Sequence, residues 1–173
     1  ALKLTGKNKS GLSLGIINSM TARENASIYA GNKQTSLAIE PFTNYFIGRI
    51  KQDLNEGATV IGGLITSTVR NIKDEHLEYL ADNSTVGGID FEHNWLNRKY
   101  YISGKSFFSK INGSKQAISA LQLSSRHLFQ REDASHLDFD QNANSMNGWG
   151  GWISGGKRSG KFRVDGRLDW RSP

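Results

Sequence analysis

The sequence predicts an all-β protein. The expected form is an antiparallel up-and-down transmembrane β-barrel, present in part as about eight strands, with one or two short helical turns in its long loops. Three observations predict it. Apolar and polar residues alternate with period two over long stretches, short and long connections alternate strictly along the chain, and aromatic residues fall near strand ends. Residues 1–173 read as one domain, the N-terminal portion of a larger outer-membrane barrel, because Ala1 to Gly6 and Asp169 to Pro173 both read as strand interrupted.

The clearest strand is Lys161 to Arg171, where Phe162, Val164, Gly166, Leu168 and Trp170 alternate with charged residues only. Ile89 to Trp95 repeats the pattern with Asp90 and Glu92 on its polar face. The other candidates are the N-terminal stub, Gly11 to Ser19, Leu37 to Leu54, Ala58 to Arg70, Tyr100 to Ile111 and Met146 to Lys157. Short links are expected at Asn8-Lys9-Ser10, Asn55-Glu56-Gly57, Leu96-Asn97-Arg98 and Arg158-Ser159-Gly160. Long ones are expected at Met20 to Ser36, Asn71 to Asn83 and Asn112 to Ser145. Such alternation puts every long loop at one end of the sheet, as in outer-membrane barrels.

Register follows from the turns. A turn centred on Asn97-Arg98 sets Trp95 opposite Tyr100, Phe91 opposite Gly104 and Gly87 opposite Phe108 on one face. The other face then carries Asp90 with Lys105, Glu92 with Ser103 and Asn94 with Tyr101. Centring the last hairpin on Ser159-Gly160 pairs Trp149 with Trp170, Gly151 with Leu168, Ile153 with Gly166 and Gly155 with Val164. Trp152 with Arg167 becomes a cation–π pair. Both registers keep one face apolar and set small residues against large ones.

Alternation alone does not say which face is inside. A soluble barrel or sandwich turns the apolar face inward, whereas an outer-membrane barrel turns it to lipid and lines its lumen with charge. Strands of ten or more residues, aromatic ends and the loop asymmetry favour the membrane. Two loops carry helical signals: Lys73 to Leu80, with Leu77 and Leu80 on one stripe, and Lys115 to Arg131, which either forms a helix weakened at Ser124-Ser125 or hides a further strand pair.

Composition narrows the chemistry. The 173 residues contain no cysteine, which excludes disulfides, a Cys-based zinc site and a thiol nucleophile. The +6 charge is spread from Lys3 to Arg171 with acids close by, so no nucleic-acid footprint forms. Gly151 to Lys157 matches the first seven positions of a phosphate-binding loop, but Arg158 stands where Ser or Thr must hold Mg²⁺ and no helix follows. Asp138, Asp140 and Asn142 are weak candidates for a metal, with hard oxygen ligands suited to Ca²⁺. Ala143 and Trp149 occupy positions an EF-hand needs for Gly and Glu. His136 and Asp138 near Ser124-Ser125 lack a nucleophile elbow, so no catalytic residue is assigned. The remaining constellation is the charged strand face. Asp90, Glu92, Lys105, Arg163, Asp165, Arg167, Asp169 and Arg171 would set the charge of a pore, contact a ligand, or satisfy one another as a wet ion-pair ladder.

Specific strings add a resemblance. Lys3 to Lys7, Ile39 to Arg49, Gly87 to Phe91, Leu128 to Arg131 with Asp133-Ala134-Ser135-His136, and the terminal Asp169-Trp170-Arg171-Ser172-Pro173 resemble one family, in order and across nearly the whole chain. It is a family of bacterial outer-membrane β-barrel proteins whose barrel domain is of unknown function, usually preceded by a family-9 carbohydrate-binding-like β-sandwich. The resemblance implies a bacterial outer-membrane location and an anchor or passage role in glycan binding or uptake. Outer-membrane lipid is the expected partner, with a polysaccharide or oligosaccharide as a second candidate; no cofactor or nucleic acid is expected. The sandwich is not in this sequence, so none of its binding residues carries over. The alternative is a soluble antiparallel barrel or sandwich that binds a carbohydrate or another small ligand.

Overall fold

A computed structural model describes residues 1–133 and 135–172. Ala134 and Pro173, which belong to two of the strings quoted above, lie outside the described residues. Ten strands form in chain order: β1 (Leu2–Lys7), β2 (Leu12–Thr21), β3 (Glu24–Ala30), β4 (Lys33–Glu40), β5 (Phe42–Leu54), β6 (Thr59–Asn71), β7 (Ala81–Trp95), β8 (Tyr100–Gly113), β9 (Ser145–Lys157) and β10 (Val164–Arg171). One helix, α1 (Lys115–Gln122), and one 3-10 turn, Glu75–Leu77, complete them.

Eight strands build a single antiparallel sheet in the order β1-β2-β5-β6-β7-β8-β9-β10, while β3 and β4 pair only with each other. The sheet is an up-and-down meander with one excursion, and it is open: β1 and β10 form its two edges. The short links, residues 8–11, 55–58, 96–99 and 158–163, all lie at one end. The excursion, residues 72–80 and residues 114–144 lie at the other, so the expected loop asymmetry is present. Two of the short turns use the same left-handed backbone, Asn55-Glu56-Gly57 with φ of 51°, 54° and 79°, and Leu96-Asn97-Arg98 with φ of 49°, 53° and 60°. Gly57 takes that conformation without steric cost, and Arg98 takes it against one.

Two expectations are corrected here. Met20 to Ser36 is not a loop: β3 and the start of β4 occupy it, and the single strand expected over Leu37 to Leu54 breaks at Pro41. Proline has no N–H to give the ladder, so the hairpin bends there and continues as a separate two-stranded unit. The last hairpin is shifted by two residues. Gly151 pairs with Trp170, Ile153 with Leu168, Gly155 with Gly166 and Ser154 with Arg167. The turn is a six-residue link with Gly160 at φ +108°, so β10 begins only at Val164 and Phe162 stays outside it. A shift of two preserves the face of every side chain, which is why alternation could not detect it. By contrast, Trp95–Tyr100, Phe91–Gly104, Gly87–Phe108, Asp90–Lys105, Glu92–Ser103 and Asn94–Tyr101 pair as expected across the tight turn.

The two faces differ in kind. One carries Leu4, Leu14, Ile50, Ile61, Ile89, Phe108, Trp149 and Leu168, all exposed; Ile89, at the middle of β7, is 69% exposed. The buried apolar residues among those described are Ala38, Leu77, Ala117 and Ile118, and none belongs to the large sheet. They sit where the long connections meet. Ser114 caps α1 by accepting from the Ala117 N–H at 3.0 Å, and its own hydroxyl donates to Glu78 O at 2.6 Å. His76 Nε2 lies 2.6 Å from Ala38 O, and Arg23 pairs with Asp74 at 2.8 Å. The helix stops at Gln122, whose amide holds the backbone of Asp140 from both sides at 2.9 Å. Lys115 to Arg131 therefore forms a helix and turns, with no further strand pair among the described residues.

The shifted register is testable by cross-linking. In the full-length protein, Ile153→Cys with Leu168→Cys should oxidise to a disulfide readily, because directly opposed residues lie within bridging range. Ile153→Cys with Gly166→Cys should do so poorly. The reverse order, seen as band shifts on non-reducing gels, would restore the simpler turn.

Candidate functional site

The charged face is organised in rows that cross the sheet. One row runs Lys51, Gly62, Asp90, Lys105, Trp152 and Asp169, each paired in register with the next. The neighbouring row toward the long connections runs Arg49, Leu64, Gly88, Phe107 and Gly150. The row on the other side holds Asp53, Val60, Glu92, Ser103, Ser154 and Arg167. Charge is thus concentrated in the half of the strands nearer the short turns.

Most of the ions in this belt are paired. The Arg49 guanidinium is bidentate on Asp90: Nη1 donates to Oδ1, and Nη2 donates to Oδ2 at 2.8 Å. The two residues are on β5 and β7, separated by β6, and the residue between them is Gly62. A Cβ placed there would meet Arg49 Nη2 at 2.6 Å and Asp90 Oδ2 at 2.9 Å. The missing side chain on the intervening strand is therefore what lets the two groups meet. Arg167 grips Asp169 the same way, with Nε–Oδ2 and Nη2–Oδ1 both 2.7 Å. Arg158 donates to Glu92 at 3.2 Å and to Asn94 at 2.9 Å while its guanidinium stacks 3.9 Å from the Tyr101 ring. Lys7 and Lys51 share Asp53 at 2.8 and 3.4 Å.

Of the residues that the sequence singles out, Asp90, Glu92, Lys105, Asp165, Arg167, Asp169 and Arg171 all stand on strands of this face. Arg163 does not; it falls in the link before β10, because that strand starts one residue later. Asp90 and Lys105 are neighbours in register, yet the bidentate partner of Asp90 is Arg49. The cation–π pair of Trp152 with Arg167 forms at 4.4 Å, now as a diagonal contact. Sequence reasoning missed Arg49, Lys51 and Arg158 as members of the belt. The available signal was the Gly62-Gly63 pair, which interrupts a strand rich in β-branched residues.

The other candidates are placed apart. Asp140 Oδ1 accepts the Asn142 N–H at 2.8 Å, and Lys115 Nζ donates to Asn142 Oδ1 at 3.0 Å. An ammonium thus already occupies the oxygen that a cation would need, and no cluster of three His, Asp or Glu side chains suited to a metal occurs among the described residues. Ser124 Oγ donates to Leu121 O at the helix end, and among the described residues it makes no hydrogen bond to His136. In the same connection, hydrogen bonds from Arg131 at 2.9 and 2.6 Å hold the Asp133 carboxyl below the usual carboxylate range.

A family model described as "Domain of unknown function (DUF5916)" matches residues 1–172. No curated protein and no solved structure matches the chain.

The role of Gly62 gives a double-mutant cycle. Arg49 and Asp90 are each about a third exposed, so the pair is worth about 0.5–1 kcal/mol rather than the value of a buried bridge. Asp90→Asn and Gly62→Val should each lose about that much in urea unfolding, and the double variant no more than the larger single loss. Full additivity would mean that Gly62 serves something other than the pair.

Proposed function

The chain belongs to the family of domains of unknown function designated DUF5916, and from that premise we propose that this sheet is part of an outer-membrane β-barrel. Its apolar face meets lipid, its charged face lines the lumen, and further strands of the full-length protein close it between β1 and β10. The barrel serves as membrane anchor or passage in glycan binding or uptake.

The observation that carries this reading is the uncovered apolar face. A water-soluble domain of this length buries such a face against a second layer. Among the described residues the buried apolar side chains lie in the β3–β4 excursion and the long connections at one end. Apolar area left in water forgoes about 25 cal/mol per Å², and a lipid bilayer recovers it across the whole face at once. Aromatic pairs add support. Trp95 and Tyr100 stack at 5.9 Å near the short turns, and Phe108 pairs in register with Trp149 toward the long connections. Tyr100 and Phe108 are eight residues apart on β8, about 27 Å along the strand, or about 21 Å along the normal of a barrel whose strands tilt by ~40°. Aromatic girdles flank an apolar band of about 25 Å in such barrels. The glycan link rests on the resemblance of the sequence strings alone.

The second reading is a soluble sheet whose apolar face packs on another layer. It draws on the apolar residues scattered on the charged face, such as Leu64 and Phe107.

Ile89→Arg separates the two readings. At the middle of a lipid-facing strand it should cost about 2–4 kcal/mol in folding into phospholipid vesicles, with loss of the heat-dependent gel shift typical of barrels. A protein that extracts into detergent-free buffer and tolerates Ile89→Arg without that loss would end the membrane reading.

A further inference from the structure

A cleft of about 570 Å³ opens on the charged face, next to the ion-pair belt. Its floor is Gly88, where a Cβ would meet Ser106 O at 2.9 Å and Phe107 Cβ at 3.2 Å, so any larger residue would fill it. Leu64 and Phe107 flank the glycine in register on β6 and β8, and Val86 lies two residues along the same face of β7. These three give the cleft apolar walls beside the charged half of the face. Arg49, Asp90 and Lys105 close its end toward the short turns.

The charges at that end are not equivalent. Both Asp90 oxygens are held by Arg49, and both Asp169 oxygens are held by Arg167. Those are the two acids in the register row of Lys105. Lys105 feels both acids through space but makes no ion pair or hydrogen bond among the described residues; its ammonium stands 5.9 Å from the Trp152 ring. Apolar walls of ligand size that end at an ammonium with no direct ion-pair partner among the described residues suit one chemical class.

We propose that this cleft binds a small monocarboxylate with an apolar, ring-sized body, the carboxylate on Lys105 and the body against Leu64, Val86 and Phe107. The neutralised Arg49–Asp90 pair neither repels the anion nor competes for it, and it fixes the wall against which the ligand seats. The inference deepens the reading of the charged face as the ligand-accessible lining proposed above. It does not require that the opposite face meet lipid.

The probes are 3-phenylpropanoate and its neutral amide, titrated calorimetrically into the full-length protein in a non-ionic detergent or nanodisc. The acid should bind at least tenfold more tightly than the amide. Lys105→Gln should abolish that preference while leaving amide binding within twofold, and Leu64→Trp, which fills the cleft, should weaken both. Equal affinity of acid and amide in the wild-type protein, or no binding of either, overturns the proposal without recourse to any variant. An unchanged preference in Lys105→Gln overturns it as well. The membrane reading is tested separately by Ile89→Arg, so a soluble protein that binds the acid would lose that reading and keep this one.

Discussion

Antiparallel strand pairing with a period of two is the constraint on which the rest of this structure depends. The backbone ladder joins eight strands in one sheet, and pleating sends successive side chains to opposite sides. Among the described residues almost no buried core backs the sheet, so the ladder and the cross-strand pairs hold it together. The consequence is a two-faced sheet whose apolar side has no partner within the described residues. Whatever covers that side, lipid or protein, supplies the larger share of its hydrophobic stabilisation.

Glycine shapes both faces. On the apolar face, Gly87, Gly104 and Gly151 stand opposite Phe108, Phe91 and Trp170, and a Cβ at any of them would meet the facing ring at 2.6–2.9 Å. The rings reach over the gaps, which keeps a sheet of bulky residues evenly filled. On the charged face, Gly62 opens the path between Arg49 and Asp90, and Gly88 floors the cleft beside them. These five glycines are therefore placed by what their neighbours need, not by turn chemistry.

The ends of the sheet divide its labour in a similar way. Short turns at one end leave the strands room only to reverse direction. The long connections at the other end supply the buried apolar cluster of Leu77, Ala117 and Ile118. Hydrogen bonds from His76 to Ala38 O and from Ser114 to Glu78 O tie those connections to one another. They form a cap with its own small core, and the ion belt lies toward the opposite end of the strands.

How much of this the sequence determined depends on distance along the chain. Alternation fixed the faces of residues 87–95 of β7, of their partners on β8 and of β10, and the tight turn at Asn97-Arg98 fixed the register of β7 against β8 there. Loop lengths fixed which end each connection occupies. Only the tertiary structure decided the register of the last hairpin, since a six-residue link with a glycine at φ +108° does not pin the strands that it joins. The same holds for the β3–β4 excursion, where Pro41 breaks a pattern that otherwise reads as one strand. The pairing of Arg49 with Asp90 was hidden for a related reason: it spans β6 and depends on the side chain that Gly62 lacks. Local spacing encodes direction and face, because both follow from the geometry of one strand. Contacts that cross an intervening strand are set by the packing of segments distant in sequence, and no spacing records them.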